Sequence, residues 1–340
     1  MKRKILFTVA AIFLTSGWGL VSDVKSQSKD MIDGARKEGE LVFYSGIPVN
    51  DTKTIMAAFE KKYPFVKTTH YRSRGSALIS RIQSEQRAGR HAWDVFNATG
   101  LEGYVLVEQG FFAAYDSPER KHFPEGHKDA ENFWTTMYTN PMLASYNRRF
   151  VASQDLPKDY SAFMDPKWKG KLGLDPQDIE WYANIKTVWG AEKTRKFFAG
   201  LVRQEIGLRE GRTLLTQFLG AGEFYILVNN YLQNVLEAKE KGSPIELLAL
   251  DPVILGAAPI SINKMAPHPN AARLFVDFCL SREGQEVIVA TGRSSARRDI
   301  KGNPLDAIKN VKIVPSDLRL GKVYREARDE YRELLGTAMK

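Results

Sequence analysis

The sequence predicts an α/β fold built as two domains, and two observations carry this prediction. The chain has 340 residues, and one domain typically takes about 100–200 residues. Short apolar runs also alternate with amphipathic stretches, as in parallel sheets whose strands are connected by right-handed helical crossovers. An apolar content of 43% with 26% charged residues fits a folded globular protein.

The first 26 residues are predicted to be a cleaved secretory signal peptide. Three basic residues at 2–4 precede a mostly apolar run over 5–21, and small residues at Val24 and Ser26 suit a cleavage site. The alternative is a membrane anchor, because about 17 residues lie at the lower limit of a span. Without residues 1–26 the net charge falls from +9 to +6. The remaining basic residues form no stripe interleaved with aromatics, so nucleic acid is not an expected partner.

Three strand–helix units are predicted in the first part of the mature chain. Apolar runs predict strands at 40–44, 64–71 and 93–97. Apolar residues at helical spacing predict helices at 51–63, from 75 onward and at 101–109. Asp51 is placed to cap the first of these helices.

The rest of the chain is less regular. An extended segment interrupted by Pro141 is predicted over 134–146. Further strands are predicted at 172–175, 224–228, 245–250 and 258–262. Further helices are predicted at 178–189, 191–203, 231–239, 270–280 and 281–290.

Motifs for bond chemistry are missing from the sequence. The one cysteine, Cys279, excludes an intrachain disulfide and a Cys-rich zinc site, and it lies on an apolar helix face. The sequence has no G-x-S-x-G elbow and no Walker-type phosphate loop. We therefore expect that the protein is not an enzyme and that it binds no cofactor.

Six stretches carry a resemblance to a known family. They are 41–46, 74–78, 93–96, 165–171, 222–231 and 270–285. In this order they resemble the bacterial extracellular solute-binding proteins of ABC transporters, nearest the type II group that includes ferric-ion and thiamine binders. The stretches together span about residues 38–295, which is nearly the whole mature chain.

The resemblance implies a two-lobe type II periplasmic-binding-protein fold, in which each lobe is a mixed, mainly parallel sheet flanked by helices. The ligand cleft then lies between the lobes. The implied division is a signal peptide at 1–26, an N-terminal lobe at 36–135 plus 259–315, a C-terminal lobe at 136–258 and a helical tail at 316–340. The implied protein is a periplasmic monomer that captures a small solute by lobe closure and passes it to an inner-membrane ABC permease.

Three other functions stay open at this point. One is a ferric-iron-binding protein with an altered tyrosine site. Another is a secreted enzyme on the same scaffold, for which Asp178 and Glu180 are the nearest acid–base candidates. The third is a receptor subunit that presents its ligand to a signalling partner.

The ligand set of the ferric binders is incomplete in this chain. The resemblance implies an early-loop ligand such as His, a Glu after the third strand and two adjacent tyrosines. This sequence has Ile47, Thr99 and Tyr231-Leu232 at those places. If the ligand is ferric iron, Tyr231 and Tyr146 are its expected ligands; otherwise no metal site is expected.

A small organic anion is the favoured ligand. A helix that begins at Gly75-Ser76 offers free N–H groups, and Arg72 and Arg74 precede it. Trp181 and Tyr182 either stack on the ligand or pack in the core. Arg212, just before a helix, is a weaker candidate. The predicted ligand-binding residues are Tyr44, Ser45, Gly46, Arg74, Ser76, Thr99, Tyr146, Trp181, Tyr182 and Tyr231.

Overall fold

The computed structural model describes residues 19–73, 75–98 and 100–336, without the side chains of residues 19–28 and 102. Its strands are β1 (Glu40–Ser45), β2 (Lys67–Arg72), β3 (Val95–Asn97), β4 (Phe112–Ala113), β5 (Thr135–Asn147), β6 (Leu172–Leu174), β7 (Gly207–Leu208), β8 (Ile226–Tyr231), β9 (Ile245–Leu248), β10 (Val253–Asn263) and β11 (Ile313–Pro315). The predicted signal peptide lies largely outside the described residues.

The helices follow the strands closely along the chain. They are α1 (Gly19–Glu38), α2 (Val49–Lys62), α3 (Gly75–Arg87), α4 (Tyr104–Glu108), α5 (Ile179–Trp189), α6 (Ala191–Arg203), α7 (Arg212–Ala221), α8 (Leu232–Glu240), α9 (Pro269–Leu280), α10 (Arg282–Ala290) and α11 (Tyr324–Leu335). Short 3-10 turns lie at Leu101–Gly103, Pro118–His122, Ser153–Asp155, Tyr160–Met164, Pro166–Trp168, Pro304–Ala307 and Leu318–Val323. None of the described helices is long and apolar enough to cross a membrane.

The two longest strands, β5 and β10, run antiparallel through the middle of the sheet. The strand order is β2-β1-β3-β10-β5-β8-β6-β7, with β4 and β11 also on β10 and β9 also on β5. On one side β1 pairs in parallel with β2 and β3. On the other side β6 pairs in parallel with β7 and β8. This arrangement confirms the predicted α/β class.

Helices cover both faces of each half of the sheet. Around β1–β3, one apolar cluster includes Phe43, Phe59 and Phe275, and a second includes Leu78, Trp93 and Phe96. Around β6–β8, one cluster includes Leu172, Trp181 and Phe198, and a second includes Leu219, Phe224 and Val235. Each half therefore has its own core, which is how layered α/β units bury the two faces of a sheet.

Local expectations fail at three places. Strand β5 continues through Pro141, which lies opposite Leu255, because extended backbone accommodates the fixed φ of proline. The predicted helix at 101–109 is a 3-10 turn followed by α4. Helix α2 begins after Pro48, so Asp51 lies in its first turn and does not cap it.

Candidate functional site

A cavity of about 520 Å³ lies where the two halves of the sheet meet. Five of the described helices begin at it, because Pro48, Gly75, Asp178, Gly211 and Tyr231 precede or open α2, α3, α5, α7 and α8 and all line the cavity. Each of these helices follows a strand of the parallel groups, so the carboxyl ends of the strands meet here. Helix N-termini carry free N–H groups and partial positive charge, which favour an anion.

Arg212 forms one wall of the cavity together with Asp178 and Tyr231. Its Nη2 donates to Oδ1 of Asp178, and the side chains of Arg212 and Asp178 are 10% and 2% exposed. The Nδ2 of Asn229 donates to Oδ2 of Asp178 at 2.7 Å. The guanidinium carbon lies 3.7 Å from the centroid of the Tyr231 ring. Among the described residues, Nη1 of Arg212 has no hydrogen-bond acceptor.

Arg293 forms the facing wall in a similar arrangement. Its Nη1 donates to Oδ2 of Asp51 at 2.6 Å and to Oγ1 of Thr291 at 3.1 Å. The Arg293 side chain is 5% exposed and that of Asp51 is 28% exposed. The guanidinium carbon lies 5.1 Å from the centroid of the Tyr138 ring. Nε of Arg293 has no acceptor within the part of the chain that the structure describes.

Burial shifts the pKa values of the acidic groups in the Arg212 wall. Burial raises the pKa of Asp178, and the Arg212 guanidinium opposes that rise. Burial also raises the pKa of the Tyr231 phenol, again with Arg212 opposing. The phenol therefore stays protonated at neutral pH and is a hydrogen-bonding group.

Asp175 joins two of the loops that line the cavity. Its Oδ1 accepts from the backbone N–H of Gln177 at 2.9 Å and its Oδ2 from that of Gly211 at 3.0 Å. Gly211 has a φ of 97°, a left-handed value that a side chain would strain. The carboxylate is occupied by backbone donors and holds the start of α7 at the cavity.

Of the predicted site residues that the structure describes, two line this cavity. Gly46 follows the end of β1, and Tyr231 ends β8. Ser76 is exposed in the first turn of α3, next to Gly75, which lines the cavity. These positions lie at the carboxyl ends of parallel strands, where the sequence predicted the site.

Tyr44, Ser45 and Tyr146 lie elsewhere. Tyr44 is buried and its hydroxyl donates to Glu85 at 3.2 Å, because alternate residues of β1 face opposite sides of the sheet. The Ser45 hydroxyl is buried against Nε2 of His70 at 2.9 Å. Tyr146 packs against the core of the β6–β8 half. None of the three side chains lines the cavity.

Trp181 and Tyr182 are core residues, so the expectation that one of them stacks on the ligand does not agree with the structure. Their exposures are 0% and 1%. Every residue from Ile179 to Ile185 is buried, because α6 and α11 pack on α5. The Tyr182 ring stacks on Tyr331 of α11, with 5.0 Å between centroids.

Some predicted site residues lie outside the described part of the chain, and some residues that line the cavity were not predicted from the sequence. Arg74 and Thr99, both predicted ligand residues, lie outside the described residues. Sequence reasoning missed the Arg293 wall altogether and read Asp51 only as a helix cap. It also missed polar neutral side chains that line the cavity, which are Asn140, Gln177, Gln233 and Asn234. Asparagine and glutamine at helix starts were the signal available for three of these.

The two tyrosines expected for ferric iron are not brought together. Tyr231 lies opposite Met142 in the ladder of β5 and β8, and Tyr146 lies four residues further along β5. This separation is about 13 Å along the strand. Among the described residues, no group of three or more His, Cys, Asp and Glu side chains is arranged to hold a metal ion.

Asp178 and Glu180, the acid–base candidates of the enzyme alternative, have separate partners. Asp178 is bound by Arg212 and Asn229. Oε1 of Glu180 accepts from the hydroxyl of Ser316 at 2.7 Å. The two carboxylates therefore take part in different contacts.

Comparisons with known proteins agree with this architecture. The major ferric iron-binding protein of Neisseria meningitidis serogroup A is 26% identical over 308 residues, covering 85% of each chain. Iron-bound HitA from Pseudomonas aeruginosa has a TM-score of 0.75 at 21% identity, covering 86% of this chain and 99% of HitA. AfuA from Actinobacillus pleuropneumoniae, with exogenous fructose-6-phosphate bound, has a TM-score of 0.72 at 23% identity, covering 87% of this chain and 98% of AfuA.

The family model for bacterial extracellular solute-binding proteins matches residues 104–317, which is more than half of the chain. The match contains β4 to β11, the Arg212 wall and Arg293, whereas Asp51, the partner of Arg293, lies outside it. The likeness to the solved structures covers most of the remaining chain and shows the same fold. The chain therefore belongs to the bacterial extracellular solute-binding proteins and has the type II periplasmic-binding-protein fold.

Proposed function

We propose that this protein captures a small anionic organic solute in the periplasm and delivers it to an ABC permease in the inner membrane. The observation that carries the ligand class is the meeting of five helix N-termini and two buried arginines at one cavity. Each arginine has a carboxylate partner, so the helix N-termini and the unpartnered N–H groups supply the attraction for an anion. The cavity volume is typical of small-molecule sites.

Capture proceeds by closure of two lobes in this proposal. The lobes are residues 36–135 plus 259–315 and residues 136–258, so β5 and β10 carry the chain between them. Arg293 and Asp51 belong to the first lobe, Arg212, Asp178 and Tyr231 belong to the second, and Tyr138 lies on β5 where the chain crosses between them. An anion bound by both walls stabilises the closed form, because only that form offers all the donors at once.

Relatives bind different ligands, so the choice rests on the residues of this chain. The names of the Neisseria relatives state ferric iron, and the AfuA structure holds fructose-6-phosphate. Ferric iron is disfavoured here because the Arg212 guanidinium lies over the Tyr231 ring and repels a cation. A bare ion also makes no use of the neutral amides at Asn140 and Gln177, which suit hydroxyl or carbonyl groups.

A thermal-shift screen of the mature protein tests the proposal. The panel contains small organic acids, phosphate esters, phosphonates, amines, thiamine and Fe(III)-citrate. An anionic compound at 100 times its Kd should raise the free energy of unfolding by about 2.7 kcal/mol. A coloured tyrosinate complex with Fe(III), with no response to organic anions, would overturn the proposal in favour of the ferric alternative.

The same screen separates binding from catalysis. We infer that the protein acts by capture and release, since members of its family bind solutes and Asp178 and Glu180 have separate partners. The compound that binds should be recovered unchanged after incubation with the protein, as measured by NMR. Steady conversion of that compound at a rate proportional to protein concentration would support the enzyme alternative.

A further inference from the structure

The two arginine walls repeat one arrangement of side chains. Each wall has an arginine whose side chain is at least nine-tenths buried, an aspartate that accepts from it and a tyrosine ring beneath its guanidinium. Each arginine also has one guanidinium nitrogen without an acceptor among the described residues, Nη1 of Arg212 and Nε of Arg293. An unpaired buried N–H is costly, so each wall is prepared for an acceptor of its own.

The walls have separate positions on the sheet. Tyr231 lies opposite Met142, and Tyr138 lies four residues before Met142 on β5. The backbone positions beneath the two guanidinium groups are therefore about 13 Å apart along the strand. Asn140 lies between them and lines the cavity.

The helix N-termini divide between the walls in the same way. Helices α2 and α3 begin on the Arg293 side, after β1 and β2. Helices α5, α7 and α8 begin on the Arg212 side, after β6, β7 and β8. Each wall thus has an arginine and more than one helix dipole, which is sufficient for one anionic group.

From this duplication we infer that the ligand is an organic solute with two separate anionic groups, one bound at Arg212 and one at Arg293. This inference rests on the proposed function and narrows its substrate class. The body between the anionic groups is polar, because Asn140, Gln177, Gln233 and Asn234 offer amide donors and acceptors along the cavity. Each wall holds its own anionic group, so closure joins two half-sites through one molecule.

Inorganic phosphate, used as a fragment of the ligand, tests the inference by counting sites. Urea unfolding of the mature protein is measured over a range of phosphate concentrations at constant ionic strength. With two saturated sites, the unfolding equilibrium constant falls 100-fold for each tenfold rise in phosphate, and with one site it falls 10-fold. The expected result for the wild type is the 100-fold dependence.

Matched neutral pairs assign the sites without leaving a buried charge. The variants D178N/R212M and D51N/R293M each remove one ion pair, and each should retain the 10-fold dependence. The variant with all four substitutions gives the baseline for non-specific phosphate effects. If one neutral pair fails to fold, the wild type and the other pair still count the sites.

Two outcomes would overturn the inference. In the first, the unfolding equilibrium constant of the wild type falls only 10-fold for each tenfold rise in phosphate, and each double variant by itself abolishes this dependence. Both arginines then bind the same anionic group, and the proposal of anion capture still stands. If the stability of the wild type depends on phosphate no more strongly than that of the variant with all four substitutions, neither wall binds an isolated anionic group. The proposed function fails separately, when organic anions in the thermal-shift screen have no effect.

Discussion

The two walls of the cleft use the same residue types but differ in how far water reaches them. On the Arg212 wall the carboxylate partner is 2% exposed and is held by a second donor from Asn229. On the Arg293 wall the carboxylate partner is 28% exposed. Solvent can therefore hydrate Asp51 when its arginine moves, whereas Arg212 and Asn229 shield Asp178 almost completely from it.

This difference separates structural from exchangeable ion pairs. A buried pair is costly to break because removing one partner leaves an unpaired charge in a low-dielectric environment. A pair that water reaches contributes little to stability. We therefore expect Arg212 to be a fixed part of the second wall, whereas Arg293 can exchange Asp51 for a ligand at small cost.

The largest expected effect is the loss of stability on replacing Arg212. Arg212→Met should lower the free energy of unfolding by about 3–5 kcal/mol, because Asp178 keeps its burial and loses its cation. Urea unfolding measures this loss. The control is D178N/R212M, which removes both charges and should recover a large part of it. Equal losses in the single and double variants would mean that packing, not charge, holds this wall.

The pH dependence of Arg212→Met gives a second readout of the same charge. Burial raises the pKa of Asp178, and Arg212 opposes the rise, so removing Arg212 raises the folded-state pKa further above the unfolded value of about 3.9. The folded state then binds a proton more readily than the unfolded state. The free energy of unfolding of the variant should therefore increase as pH falls from 7 to 5. A pH profile parallel to that of D178N/R212M would contradict this prediction.

A smaller effect is expected on the Arg293 wall, where the carboxylate is partly exposed. Arg293→Met should lower the free energy of unfolding by about 1–2 kcal/mol, through lost hydrogen bonds to Asp51 and Thr291. A loss as large as that of Arg212→Met would remove the proposed difference between the walls.

Sequence patterns predicted the parts of this molecule that depend on local order. Strand–helix alternation gave the α/β class, and helix α6 lies at the predicted residues, Ala191–Arg203. Gly46 was expected at the site because it follows a strand and strand ends meet at one edge of a parallel sheet, whereas Tyr231 was expected there also because its place matches a ligand position of the resembled family. Except for the use of the resemblance at Tyr231, these inferences need only neighbouring residues and the rules of sheet topology.

Sequence patterns could not predict contacts between residues that are far apart in the chain. Arg293 and Asp51 are 242 residues apart, and no local pattern marks them as partners. Trp181 and Tyr182 are aromatic residues near the start of a helix that follows a strand, which is a common place for ligand-binding aromatics. Helix α11, from the C-terminal part of the chain, packs on α5 and buries them. The pairing of Arg293 with Asp51 and the burial of Trp181 and Tyr182 both depend on which distant segment packs against them.

The tyrosine rings beneath the guanidinium groups provide a finer comparison. Tyr231→Leu should cost about 1–2 kcal/mol more stability than Tyr231→Phe, because the Phe variant keeps a ring 3.7 Å from the Arg212 guanidinium. The same Leu–Phe difference at Tyr138 should be smaller, since Arg293 lies at 5.1 Å from that ring. Urea unfolding of the four variants measures both differences. A larger Leu–Phe difference at Tyr138 would mean that the contact between ring and guanidinium stabilises the Arg293 wall more than the Arg212 wall, and would contradict this prediction.

The smallest expected effect is that of removing the exposed carboxylate. Asp51→Asn should lower the free energy of unfolding by about 1 kcal/mol, because the Asp51 carboxylate is partly solvated and its attraction is weakened by salt, while the buried Arg293 keeps its hydrogen bond to Thr291. The same variant should bind phosphate more tightly at low salt, since the carboxylate no longer competes with the anion for the Arg293 guanidinium. Asp178→Asn is the matched variant, and its stability loss should be greater because the neutralised carboxylate is 2% exposed, against 28% for Asp51, while the arginine left behind is buried in both variants. If Asp51→Asn instead weakens phosphate binding, Asp51 serves to orient Arg293, and the Arg293 wall is as fixed as the Arg212 wall.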